Sequence, residues 1–155
     1  MLNEKTINYI LVILTIILTL IIIFKFIIKD NKASLSINVK KITISSLDGS
    51  QIKLFDMIKD KKEIYILLFK LNDCYTCVAK GLADIQNLSR SGSNYICIIA
   101  HDSLDDIKGF AETFPEIIFH QITTKEQYEN IRCPYFPVIA KLNNKKIVNY
   151  RFITP

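Results

Sequence analysis

What this chain lacks narrows its function before any motif is considered. It lacks a strong charge of one sign, with 20 Lys+Arg against 15 Asp+Glu and a net of +5. The first 33 residues hold Lys5, Lys25, Lys29 and Lys32 against Glu4 and Asp30, leaving a dispersed +3 for the other 122. No nucleic-acid partner is expected, because that needs a clustered basic surface. There is no internal repeat, and no low-complexity tract beyond an apolar N-terminal run. A second CxxC is missing, so Cys74 and Cys77 are not half of a four-cysteine zinc site. Cys97, His101, His120 and Cys133 are the other residues a metal could use, but their spacing is irregular, and neither metal nor cofactor is expected. No cysteine precedes Cys74, which excludes a lipoprotein signal.

What is present begins with residues 7–24, INYILVILTIILTLIIIF, without a charge, a glycine or a proline. About 20 helical residues cross the hydrocarbon core of a bilayer, and only a helix satisfies its own backbone there. Lys25 can snorkel its ammonium to the interface. A cleaved signal would be shorter and end in small residues, whereas KDNKASLS follows here. The expected organisation is a tail over 1–6, a transmembrane anchor over 7–28 in contact with lipid, a polar linker over 29–40 and one folded domain over 41–155. The basic residues flanking the anchor favour a cytoplasmic domain by the positive-inside rule.

The remainder alternates strand and helix. ITISS (42–46) and QIKL (51–54) flank an Asp48-Gly49 hairpin turn, and a short helix over 55–59 follows. IYILLFKL (64–71) and YICIIA (95–100) are apolar runs typical of strands buried on both faces. Residues 77–88 place apolar side chains at 78, 82, 85 and 88, a helical stripe. Ser103 with Asp106 opens a helix to about Phe114, stopped by Pro115, and a short strand over 116–122 follows. Thr124 with Gln127 opens another helix, and strands over 138–142 and 147–152 form a final hairpin around 143–146. This order predicts an α/β fold with a mixed sheet flanked by helices.

Cys74-Tyr75-Thr76-Cys77 falls where a buried strand gives way to a helix. Unpaired amides and the dipole at a helix N-terminus favour a thiolate. Cys74 is then the nucleophile, and Cys77, one turn on, resolves the mixed disulfide. Cys97 reads as a buried core thiol. Cys133 is a candidate third redox cysteine, or a partner for Cys97, and His101 is a candidate proton-transfer group. A peroxidatic cysteine would need a threonine where Leu71 stands.

With Pro137 in Pro134-Tyr135-Phe136-Pro137-Val138, ahead of the final hairpin, the CxxC resembles the thioredoxin superfamily. The stretch SSLDGSQIKLFDMIKDKKEIYILLF, and the 59 residues between Cys77 and Pro137, resemble the TlpA/ResA-like group of anchored bacterial thiol–disulfide proteins, over about residues 42–148. The resemblance implies a cis-Pro137 with Phe136 beside Cys74, and a substrate surface of Phe136, Pro137, Tyr75 and Thr76. It implies a single-pass protein of the bacterial cytoplasmic membrane with an extracytoplasmic domain, against the positive-inside count. Its partners would be protein thiols or disulfides and a membrane or soluble electron donor, and it would act as a reductant. The sequence departs from the group at Asp73, where tryptophan is usual, at Thr76, where proline is frequent, and at Lys80, where glutamate is frequent. Asp73, Lys80 and Cys133 are therefore candidate modulators. The group's final helix is also missing, which leaves one sheet face to be covered by the N-terminal elements, by a partner, or not at all. A thioredoxin-like docking subunit with little redox turnover is the alternative, and it differs in not needing an exposed Cys74 of depressed pKa.

Overall fold

A computed structural model describes residues 13–19 and 34–155 of the chain. The chain divides into two units, Met1–Ser34 and Leu35–Pro155. In the first, residues 13–19 are helical with exposed side chains, and Thr19 Oγ1 donates to the carbonyls of Thr15 and Ile16. The rest of the expected anchor over 7–28 lies outside the described residues. No helix among those described is long and apolar enough to cross a membrane.

The second unit runs β1 (Ser36–Ile37), β2 (Thr43–Ser46), β3 (Gln51–Lys53), α1 (Leu54–Ile58), β4 (Glu63–Phe69), α2 (Tyr75–Arg90), β5 (Tyr95–Ala100), α3 (Leu104–Ala111), β6 (Phe119–Ile122), α4 (Thr124–Asn130), β7 (Ile131–Arg132), β8 (Val138–Asn143) and β9 (Lys146–Phe152). The main sheet has the order β3-β2-β6-β5-β4-β8-β9, with β4, β5 and β6 parallel and the other pairings antiparallel. β1 pairs with β7 in a second, two-stranded sheet.

The apolar run of β4 is continuous because both its faces are covered. Ile64, Ile66 and Leu68 face a core shared with Leu35, Val39, Ile42, α1 and β7. Leu67 and Phe69 face a second core with Val78, Leu82 and Ile85 of α2 and Ile107 of α3. The expected linker over 29–40 is thus folded in its second half, where Leu35 and Val39 are buried and Ser36–Ile37 form a strand.

Most boundaries shift by a residue or two from the sequence expectation, and four shifts have an identifiable local setting. α2 starts at Tyr75, two residues early, because Cys74 already serves as its N-cap. α3 ends at Ala111, where the chain tightens into turns before Pro115, and β6 begins only at Phe119. α4 is capped by Thr123, whose Oγ1 accepts from Glu126 N at 3.2 Å, rather than by Thr124. Either threonine offers the same hydroxyl, and only the fold selects between them.

On the α2 side, β8 and β9 leave a shallow trench lined by Tyr65, Ile139, Lys141, Asn149 and Arg151. Arg151 Nη2 reaches Asp84 Oδ2 on α2 at 2.6 Å, and Lys141 Nζ lies 2.9 Å from Glu63 Oε1. This face therefore carries paired charges, while the opposite face is covered by residues 35–42, α1 and β7.

Candidate active site

β4 ends at Phe69, and Lys70–Asp73 turn the chain into α2. Asp73 closes this turn, with Lys70 N donating to its carboxylate at 2.7 Å and its own amide donating to Lys70 O at 3.1 Å. Burial raises the Asp73 pKa, and the Lys70 amide and ammonium pull it back.

Cys74 is exposed and Cys77 is buried, and both are thiols rather than a disulfide. The Cys74 pKa falls from 9.0 to about 7. The largest cause is a hydrogen bond from the Cys77 thiol, followed by one from the Thr76 hydroxyl, whose oxygen lies 3.4 Å from Cys74 Sγ. The Cys77 and Thr76 amides add to this, although neither closes a full cap hydrogen bond to the sulfur. The Cys77 pKa moves up, through its hydrogen bond to Cys74, then burial, then the Cys74 charge. Lys80 is the group that pulls it down. The pair thus splits into an exposed, readily ionised thiol and a buried, protonated one.

The opposing wall comes from the loop before β8. The Phe136–Pro137 peptide bond is cis, and Pro137 is buried. Pro137 O accepts from Ile153 N at 2.9 Å, and among the described residues the Phe136 backbone makes no hydrogen bond to other backbone. The Phe136 ring lies under Lys70 Nζ, 4.8 Å from its centroid, so the two walls meet beside the CxxC turn. Tyr75 and Tyr135 are 69% and 65% exposed and add aromatic surface, and Thr76 is also exposed.

Lys80 is exposed and donates to Thr154 O at 3.1 Å, so it acts on Cys77 and not on Cys74. Cys133 Sγ donates to Tyr135 O at 2.8 Å, and burial pushes its pKa up to about 11. Its pairing with Cys97 is ruled out, because Cys97 lies in the core on the α2 side and Cys133 packs on the other face. Burial also raises the Cys97 pKa strongly. Among the described residues, no group of three or more His, Cys, Asp or Glu side chains is placed to hold a metal.

Sequence reasoning missed Lys70 and Tyr128. Lys70 Nζ sits between the Phe136 ring and the Tyr128 ring, 5.3 Å from the latter, and both residues border a cleft of about 470 Å³ with Leu71, Ala100, His101 and Asp106. No short-range signal marks a contact between residues 58 positions apart. His101 Nε2 pairs with Asp106 Oδ2 at 2.9 Å across this cleft.

No family model matches the sequence, and no curated protein matches it. Solved structures do match. A thiol:disulfide interchange protein from Bacteroides sp. superposes with a TM-score of 0.60 at 16% identity, covering 77% of this chain and 82% of that one. A thioredoxin-like protein from Porphyromonas gingivalis gives 0.58 at 14% identity, over 76% and 81%. A secreted disulfide oxidoreductase of Mycobacterium tuberculosis gives 0.53 at 11% identity, over 74% and 84%. The second unit therefore has the thioredoxin-like fold, and the resemblance to the TlpA/ResA-like group holds at the level of that fold.

Proposed function

We propose that this chain is a membrane-anchored thiol–disulfide oxidoreductase that reduces protein disulfides through Cys74 and Cys77. The observation that carries this reading is the asymmetry of the pair, with an exposed Cys74 of pKa about 7 against a buried Cys77 of raised pKa. At pH 7 about half of Cys74 is thiolate, enough to attack while remaining a good nucleophile. The docking alternative does not need that asymmetry. Solved proteins of the same fold include a disulfide oxidoreductase and a thiol:disulfide interchange protein, which agrees with the reading. The anchor rests on the uncharged run over 7–24, and the extracytoplasmic placement and reductant direction rest on the TlpA/ResA-like resemblance.

The chemistry follows from the two sulfurs. Cys74 thiolate attacks one sulfur of a substrate disulfide, that S–S bond breaks, and the departing thiolate takes a proton. The mixed disulfide removes the charge and the acceptor that hold Cys77 protonated, while Lys80 still favours its ionisation. Cys77 then loses its proton and attacks Cys74 Sγ, releasing the second substrate thiol and leaving a Cys74–Cys77 disulfide. Two electrons have passed to the substrate, and a dithiol donor must return them. The unengaged Phe136 backbone offers an edge on which an extended substrate segment can pair.

The deciding experiment is the reduction potential of the pair in the full chain, by equilibration against glutathione or dithiothreitol. A reversible two-electron couple lost in Cys74→Ser, near the thioredoxin value of about −270 mV, is the expected result. A potential near −120 mV reverses the direction, and no reversible couple overturns the reading.

A further inference from the structure

We infer that Lys70 is a specificity-determining residue that selects disulfides flanked by a carboxylate on the substrate polypeptide. The inference rests on the oxidoreductase reading and names the substrate class of the same site.

Lys70 opens the turn that leads into the CxxC motif, and it borders the cleft of about 470 Å³. Its ammonium lies over two aromatic rings, at 5.3 Å from the Tyr128 centroid and 4.8 Å from the Phe136 centroid. Ring faces hold a cation by their quadrupole and strip part of its water, but they leave its charge uncompensated. No carboxylate lies within ion-pair distance of Lys70 Nζ among the described residues. Lys108, Lys141 and Arg151, by contrast, are each paired. Asp73 in the adjoining turn and Asp106 across the cleft each have hydrogen-bond partners of their own. The Asp73 carboxylate accepts from the Lys70 amide, and the Asp106 carboxylate pairs with His101 Nε2 while its amide donates to Ser103 Oγ. The cleft therefore presents one oriented, half-buried cation that feels the Asp73 charge at longer range but has no direct ion-pair partner among the described residues. One of its two clamping rings belongs to the residue whose backbone faces the substrate. A segment extended along Phe136 with its cysteine at Cys74 brings a neighbouring acidic side chain over Lys70.

The test uses the reduced full chain and three symmetric disulfide dimers of one peptide, with the cysteine flanked by Glu, Gln or Lys. Each protein dithiol reduces one dimer to two peptide thiols and becomes the disulfide, so no other reductant is needed. The expected result is a preference in the second-order rate constant of this single turnover for the Glu peptide over the Gln peptide that falls about tenfold in Lys70→Met, is kept in Lys70→Arg, and turns toward the Lys peptide in Lys70→Glu. Equal rates on the Glu and Gln peptides, or a preference unchanged in Lys70→Met, overturn the inference and leave the oxidoreductase reading standing. If no peptide is reduced, the oxidoreductase reading fails. Equilibrium binding of the same dimers to Cys74→Ser then decides the carboxylate preference by itself, with equal affinity for Glu and Gln dimers as the overturning result.

Discussion

At the scale of single residues, the four cysteines have four different environments, and reactivity follows from them. Cys74 is exposed and ionises near pH 7, Cys133 is held up to about pH 11, and Cys77 and Cys97 are buried with raised pKa values. Alkylation of the reduced chain by iodoacetamide between pH 6 and 8 should therefore modify Cys74 alone, with a rate that rises through a midpoint near 7. The Thr76 hydroxyl is the second largest cause of that low value, and Thr76→Val should move the midpoint upward. A midpoint that stays in place in Thr76→Val would show that the hydroxyl does not act on the sulfur. The same environments explain what the sequence could and could not disclose. The strand-to-helix position of CxxC announces a nucleophile from local pattern. The roles of Asp73 as turn closure and of Lys80 as a partner of Thr154 O depend on contacts that no local pattern encodes.

At the scale of elements, the cis-proline loop and the CxxC helix are joined through the end of β9. Ile153 N bonds Pro137 O, the Ile153 side chain packs over Gly81, and Arg151 pairs with Asp84. A Cβ on Gly81 would lie 2.7 Å from Ile153 Cδ1 and 3.1 Å from Leu67 Cδ1, whereas one on Gly109 of α3 would meet nothing within 4 Å. Overpacking costs about 1–3 kcal/mol, and replacing a helical glycine by alanine returns about 1 kcal/mol. Urea unfolding should accordingly find Gly81→Ala destabilised by about 1 kcal/mol and Gly109→Ala stabilised by about 0.5–1 kcal/mol. Equal effects at the two positions would mean that Ile153 yields freely. Elements with a strong period were legible: β4 and β5 as apolar runs, and α2 as a stripe through Val78, Leu82 and Ile85. β1 and β7, of two residues each, are too short to carry any period, and they exist only because the fold brings residues 36–37 against 131–132.

At the scale of the whole molecule, the second unit runs from Leu35 to Pro155 and holds Cys74 and Cys77, whereas the expected anchor belongs to the first. If residues 7–28 anchor the chain, the full-length protein should stay with bacterial membranes through a carbonate wash and leave them in detergent. A variant lacking residues 1–33 should be found outside the membrane fraction with the same reduction potential. Release of the full chain by carbonate would remove the anchor from the proposal while leaving the chemistry intact.

The placement of Cys97 and Cys133 on opposite faces of one sheet bears on the order of events during biosynthesis. In an unfolded chain, nothing separates these two thiols from each other or from the CxxC pair, and four cysteines admit three complete pairings. A bridge between Cys97 and Cys133 would have to pass through the sheet, so any chain oxidised that way is barred from the native topology. The safe sequence is therefore to fold first as a thiol and oxidise afterwards. By then the sheet has sealed Cys97 in the core and left Cys74 as the exposed, readily ionised sulfur.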